Sequence, residues 1–193
     1  MRKLTVINHM TLDGVMQAPG RPDEDTRGGF SRGGWAQAGN DEVMASFMAA
    51  GRGGDPVALV LGRRTYLDFA GFWPRQPDNP YTEALTKQQK YVASRTLAGP
   101  LPWENSTLLR GDAAAAVAAL KQEPGPDLLV LGSGELIQSL RQRDLVDEYV
   151  LMIHPLILGP GRRLFPEGTP ADLRLAETVS TTTGVIIARY RAH

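Results

Sequence analysis

Short apolar runs that end in glycine or a basic turn, each followed by a helix-forming stretch, constrain this chain most. Val57–Leu61 (VALVL) and Asp127–Gly132 (DLLVLG) are near-continuous apolar runs, and Lys90–Ala93 is a shorter run of the same kind. Continuous rather than alternating runs belong to strands buried on both faces, the condition of a parallel sheet covered by helices. A first strand is expected over residues 3–9, where Leu4, Val6 and Ile7 stand among β-formers. Helices are expected from an Asn40 cap through DEVMASFMAAG, with Gly51 ending it, and from the GRRT turn through Phe69. Others are expected at Pro80–Gln89, after an Asp112 cap on AAAAVAALKQ, and at Gly134–Arg143. Val146–Ile153 reads as a strand. Leu173–Thr181 and Gly184–Arg191 form a last pair joined by a tight turn, with no helix between them. The expected fold class is therefore α/β, a mostly parallel central sheet with helices on both faces and an antiparallel C-terminal hairpin.

At 193 residues, 42% of them hydrophobic, the chain suits a single domain spanning 1–193 with one core. Lys+Arg and Asp+Glu are both 21, so no global basic field recruits nucleic acid. No stretch reaches the roughly 18 apolar residues of a membrane span, so no membrane partner is expected. Cysteine is absent, which removes disulfides, thiolate metal sites and a cysteine nucleophile together. The three histidines, His9, His154 and His193, are far apart in sequence and carry no metal-ligand spacing, so no metal is expected. A protein of a reducing compartment, the cytoplasm, is the plain expectation.

In open parallel sheets, ligands bind beyond the carboxyl ends of the strands. Two segments put glycine there: LVLG-RRTY (59–66) and LLVLG-SGEL (128–136). Unpaired backbone N–H groups and the helix dipole make such an end receptive to an anion. Each segment taken singly reads more simply as a tight turn. Two in one sheet, with Arg63 offering a planar fork to a phosphate, favour a cofactor's phosphates. The irregular stretch from Asp13 to Gly39 is too long for a simple connector and suggests a functional loop.

Several motifs together resemble the dihydrofolate reductase-like superfamily, and within it the reductase domain of bifunctional riboflavin-biosynthesis enzymes and its small stand-alone relatives. TLDG (11–14) resembles that group's SLDG signature. LGRRTY, YVASR (91–95), VLGSGEL (130–136) and HPLILGPGRRLF (154–165) follow in the family's order. The resemblance implies the three-layer fold of that superfamily and NADPH as cofactor. It matches Gly62, Arg63 and Thr65 to the turn that holds the cofactor's phosphates, with the arginine near the adenosine 2′-phosphate. Ser94 and Arg95 match the segment flanking that phosphate and the adenine. Gly132, Ser133 and Gly134 match the glycine turn beside the pyrophosphate, with Glu135 and Leu136 just inside the next helix. A homodimer through the C-terminal strands is implied in the same way.

On the substrate side, Asp13 reads in two ways: as an acid near a polarised hydride acceptor, or as the turn aspartate of an Asp-Gly pair. Trp35, Phe72 and Trp73 read as walls of a flat pocket or as packing. Arg162 and Arg163 read as a grip on a substrate phosphate, or as solvated loop charges or a subunit contact. The expected site is thus catalytic Asp13, substrate-binding Trp35 and Arg162, and the cofactor residues above; His9 and His154 are expected to be structural. The group's lysine ahead of the SLDG aspartate is missing from VINHMT, and its arginine- and serine-rich loop is not evident in GGFSRGGWAQAGN. Asp41 and Glu42 open the first helix, where dihydrofolate reductases carry their acid, but at a longer distance in sequence from the GRRT turn. Without cysteine the deaminase half is excluded. The expected activity is NADPH-dependent hydride transfer to a small heterocyclic or sugar-linked molecule, and the rival reading is a non-catalytic NADPH- or nucleotide-binding sensor.

Overall fold

The structure, a computed structural model, describes residues 1–50, 56–77, 80–166 and 170–192. The expected stop at Gly51 and the third histidine, His193, lie outside the described residues. The chain forms two compact units: residues 1–6 with 56–146, and residues 7–55 with 147–193. The strand β1 (Leu4–Thr11) begins in the first unit and ends in the second.

In the first unit, β2 (Val57–Gly62) leads into α2 (Arg63–Phe72), then α3 (Pro80–Lys87) and β3 (Lys90–Ala93). After β4 (Ser106–Leu109) come α4 (Ala113–Gln122), β5 (Asp127–Leu131) and α5 (Gly134–Arg141). β3 pairs with β4, and β2 with both β3 and β5, all in parallel. Ala58–Leu61, Val92 and Val130 are fully buried, which explains why these strands are written without alternation. The Asp112 cap stands as expected: its carboxylate accepts the N–H of Ala115 at 3.0 Å, and α4 starts at the next residue. Lys90 is a polar exception in the core, fully buried at the start of β3. Its ammonium donates to the carbonyls of Thr86 (2.8 Å), Gln88 (2.8 Å) and Glu104 (3.2 Å), and lies 4.3 Å from the Trp103 ring centroid. Three acceptors and a ring face replace the water that a buried cation loses.

In the second unit, α1 (Glu42–Ala50) packs through Met44 against Val150, Met152, Val185 and Ile187. Its cap is Asp41, one residue later than expected: the Asp41 carboxylate accepts the Met44 N–H at 2.8 Å, while the Asn40 N–H goes to Gln37. The same carboxylate accepts from the Thr182 N–H and hydroxyl, both at 2.7 Å, so a distant turn decides between two good cap formers. β6 (Glu148–His154), β7 (Leu173–Ser180) and β8 (Ile186–Ala192) complete the unit, with β8 antiparallel to both neighbours. The strand order is β4-β3-β2-β5-β1-β6-β8-β7, an α/β arrangement of eight strands that ends in the antiparallel hairpin.

Candidate functional site

At the end of β2 no loop intervenes. Gly62 is the last strand residue and Arg63 the first helical one, with no side-chain cap on α2. At the end of β5, Gly132 (φ +56°) and Ser133 (φ +62°) are both left-handed before α5 opens at Gly134. The positive φ demands glycine or a tolerated polar residue, and Ser133 carries a conformation that costs roughly 1 kcal/mol. Its hydroxyl compensates. Ser133 Oγ accepts the Gly62 N–H at 2.9 Å and donates to Thr65 Oγ1 at 3.0 Å, with the Leu131 carbonyl at 3.2 Å. One serine thereby clamps two βα turns separated by 71 residues.

The structure thus brings Gly62, Thr65, Gly132 and Ser133 together and sorts the two arginines. Arg64 is the partnered one: it bonds Glu135 at 3.1 Å in an exposed ion pair worth about 0–1 kcal/mol. Arg63 is exposed, with no hydrogen bond or ion pair among the described residues. Leu136 is buried and contributes packing. Ser94 Oγ accepts the N–H groups of Thr96 (3.2 Å) and Leu97 (3.0 Å), turning the chain after β3, and Arg95 is exposed and has no partner among the described residues. A residue that sequence reasoning missed joins them. Arg110 follows β4 immediately, is exposed, and has no partner among the described residues. Gly62 pairs with Ala93 and Ala93 with Leu109, so Arg63, Ser94 and Arg110 are the first residues beyond one row of three adjacent strands spaced about 4.8 Å apart. The signal was STLLR, a β-forming run too short to stand out.

On the second unit, Asp13 is engaged at every acceptor. Oδ1 accepts from Thr11 Oγ1 (2.6 Å) and the Leu158 N–H (3.2 Å), and Oδ2 from the Gly159 N–H (2.8 Å). The Thr11 hydroxyl above all, then the two amides, holds its carboxyl below the usual aspartate range. Its carbonyl accepts from Arg163 Nε at 2.9 Å. A carboxylate held this way clamps the end of β1 to the LILG segment and is a poor proton donor at neutral pH. Beside it, Leu12, Leu156 and Ile157 are exposed, with the Leu12 N–H on the Leu156 carbonyl at 2.9 Å. Sequence reasoning singled out none of the three.

His9 and His154 meet in the same unit, Nδ1 to Nε2 at 2.9 Å. Trp35 stands edge-on to His154, its ring centroid 5.2 Å away, and its Nε1–H donates to the Gln17 carbonyl at 2.8 Å. It packs with Val15, Ala18, Phe30 and Leu158, which is an anchoring position within the loop. In the first unit Phe72 and Trp73 form an aromatic cluster with Phe69 and Tyr81. Arg162 lines a cavity of about 270 Å³ whose other walls include Gln17, Arg27, Phe30, Arg32 and Gly161. Among the described residues no group of three His, Asp or Glu is placed to hold a metal, and no helix is long and apolar enough to cross a membrane.

The arrangement defines a dihydrofolate reductase-like α/β protein. Solved structures share its fold. A protein assigned by name to riboflavin biosynthesis, from Shewanella sp. PV-4, is 24% identical at TM-score 0.74, covering 100% of this chain and 99% of that one. A pyrimidine reductase-like protein from Corynebacterium diphtheriae is 14% identical at TM-score 0.67, covering 100% and 92%. The chain belongs to the RibD C-terminal domain family, whose model it matches over residues 2–187. Two uncharacterized Bacillus subtilis (strain 168) proteins are similar in sequence. YyaP is 30% identical over 140 residues, 68% of this chain and 72% of its own length. YwjB is 37% identical over 90 residues, 46% of this chain and 52% of its own.

Proposed function

We propose that the protein is an NADPH-dependent reductase that transfers a hydride to a small heterocyclic or sugar-linked molecule. The observation that carries this reading is the pair of βα turns clamped by Ser133, with Arg63 at the first turn of α2 unpartnered among the described residues. Close backbone approach at Gly132, the positive end of the α5 dipole, and the Arg63 and Arg95 guanidiniums, without partners among the described residues, suit a dinucleotide's pyrophosphate and a 2′-phosphate. Bound there, the nicotinamide supplies a hydride from C4. Arg63 and Arg95 hold the phosphates, and the Gly62–Thr65 and Gly132–Glu135 turns orient the rest. On the substrate side Asp13 positions the LILG segment, and Arg162 offers a cation to an anionic group. Positioning by fixed groups of this kind supplies a substantial part of an enzyme's acceleration.

Arg63→Ala is expected to weaken NADPH roughly tenfold or more while leaving NADH nearly unchanged, because only NADPH carries the 2′-phosphate. Fluorescence titration of both nucleotides measures this, and equal weakening of the two sinks the assignment. A second reading, a nucleotide-binding sensor without turnover, is favoured by one specific feature: Asp13 and Asp41 are both engaged as hydrogen-bond acceptors. Stopped-flow NADPH oxidation with pterins, pyrimidines and quinones separates the two. Tight binding without turnover on any of them selects the sensor.

A further inference from the structure

His9 and His154 stand on neighbouring strands of the second unit, two residues before the end of β1 and at the last residue of β6. Their rings are tilted at 43° with centroids 5.1 Å apart, and one hydrogen bond of 2.9 Å joins His9 Nδ1 to His154 Nε2. A single proton lies in that contact, so the tautomer of one ring fixes the tautomer of the other.

The surroundings of His154 decide which ring donates. It is 1% exposed, and its second nitrogen, Nδ1, has no hydrogen bond among the described residues. A Cβ on Gly39 would stand 2.6 Å from both Nδ1 and Cε1, so the Gly39 hydrogen in that direction is aimed at this edge of the ring. Gly39 is pinned there. Its N–H goes to the Ala36 carbonyl at 3.0 Å, and its carbonyl accepts from Thr183 Oγ1 at 2.8 Å. An N–H at His154 Nδ1 would meet the glycine hydrogen and remain a buried donor without an acceptor. A bare Nδ1 receives the weak C–H contact instead. His154 therefore carries its proton on Nε2 and donates it to His9 Nδ1, which leaves the His9 proton on Nε2, the nitrogen across the ring from His154.

His9 is only partly buried, and its Nε2 has no hydrogen bond among the described residues. By contrast Asp13, Asp41 and the Trp35 N–H of the same unit are engaged within the fold. Burial, and then His154, push His9 down from 6.5 to about 4, so the donor is a neutral imidazole at neutral pH. A neutral N–H selects a carbonyl oxygen or an unprotonated ring nitrogen, where a cation would select an anion. Its place agrees, since ligands of open sheets bind at the carboxyl ends of the strands.

We propose that His9 is a recognition residue whose Nε2–H, set in one tautomer by His154 and Gly39, donates a hydrogen bond to a carbonyl oxygen or ring nitrogen of a neutral heterocycle. Calling that heterocycle the substrate rests on the reductase reading, whereas its binding does not. His154 acts through His9 and is a positioning residue. A donor fixed before the ligand arrives needs no reorientation on binding and draws electron density from the bond it touches.

The test is nitrogen-15 NMR of the full-length protein labelled at histidine, alone and then with uracil, cytosine and pterin in turn. The expected spectrum has the proton on Nε2 in both His9 and His154, and the His9 Nε2–H resonance moves saturably with at least one of the three. A proton on Nδ1 of either ring, or no saturable shift at His9 with any of them, overturns the proposal. In calorimetry, His9→Leu is expected to weaken the shifting heterocycle about tenfold. His9→Gln, whose amide both accepts from His154 and donates outward, is expected to stay within about threefold of the unmodified protein. Equal affinities in the two variants reduce His9 to packing and overturn it; if His9→Leu fails to fold, the spectra of the unmodified protein decide. NADPH titration keeps the two readings apart. Binding of a heterocycle through His9 with no NADPH binding leaves the proposal standing and removes the reductase reading. NADPH oxidation by one of these heterocycles with the His9 resonance unmoved does the reverse.

Discussion

Acidification is expected to destabilise the protein through the His9–His154 pair well before its carboxylates titrate. The 2.9 Å contact between His9 Nδ1 and His154 Nε2 has room for one proton, so one ring donates and the other accepts, and both are neutral. His154 is 1% exposed, faced by the Trp35 edge and by Gly39, where even a Cβ would come within 2.6 Å of the imidazole. Burial, and then the neighbouring His154, push His9 down from 6.5 to about 4, and burial lowers His154 as well. The unfolded chain binds a proton at His9 below about pH 6.5, whereas the folded chain refuses it until about pH 4. Stability from this pair is therefore complete above pH 6.5 and lost as the pH falls through that window. At about 1.36 kcal/mol per pH unit, His9 alone accounts for a loss on the order of 2–3 kcal/mol by pH 4.5, a large share of the roughly 5–15 kcal/mol that a domain commonly has. Asp13, Asp25 and Asp41 are held below 3.8, so their contribution falls away only under more acid conditions. Urea unfolding followed by circular dichroism at pH 7.5, 6.5, 5.5 and 4.5 measures the loss. His9→Gln, whose amide retains a polar partner for His154, is expected to flatten the profile. An unfolding free energy that stays constant from pH 7 to 4.5, or a His9 ring that titrates above pH 6 by NMR, defeats the reasoning.

Ser133→Ala removes the acceptor of the Gly62 N–H and is expected to cost about 1–2 kcal/mol. Thermal unfolding reads this loss, and NADPH affinity should fall with it because the two turns are no longer clamped. Asp13→Asn keeps the size of the side chain but weakens its charge-assisted bonds to Leu158 and Gly159, with an expected loss of about 1–2 kcal/mol. On the proposed positioning role, any acid limb in a pH–rate profile should survive this change; disappearance of such a limb would make Asp13 the proton donor. Lys90→Met leaves three carbonyls without their shared donor and is expected to cost about 2–4 kcal/mol in urea unfolding.

What the sequence determined by itself is whatever depends on neighbours within a few residues. The Asp112 cap, the strands at 57–61, 90–93 and 127–131, and the C-terminal hairpin were legible because propensity, capping and burial pattern act locally and here agree. The order of its motifs also carried the family. Local signals that tied or were faint needed the fold. Asn40 and Asp41 are both good caps until Thr182 bonds Asp41, and Ser106–Leu109 becomes a strand because β3 offers it a ladder.

Only the tertiary structure decided the chemistry of the candidate sites, because each hinges on groups brought together from far along the chain. Ser133 reaches Gly62 across 71 residues, and Asp13 reaches Gly159 across 146. Among the described residues, Glu135 takes Arg64, also 71 residues away, and leaves Arg63 as the cation without a partner. Hydrogen bonds and ion pairs act over a few ångströms of space without regard to sequence separation. Residue types could therefore name the candidates, while the folded chain assigned them as clamp, wall or open cation.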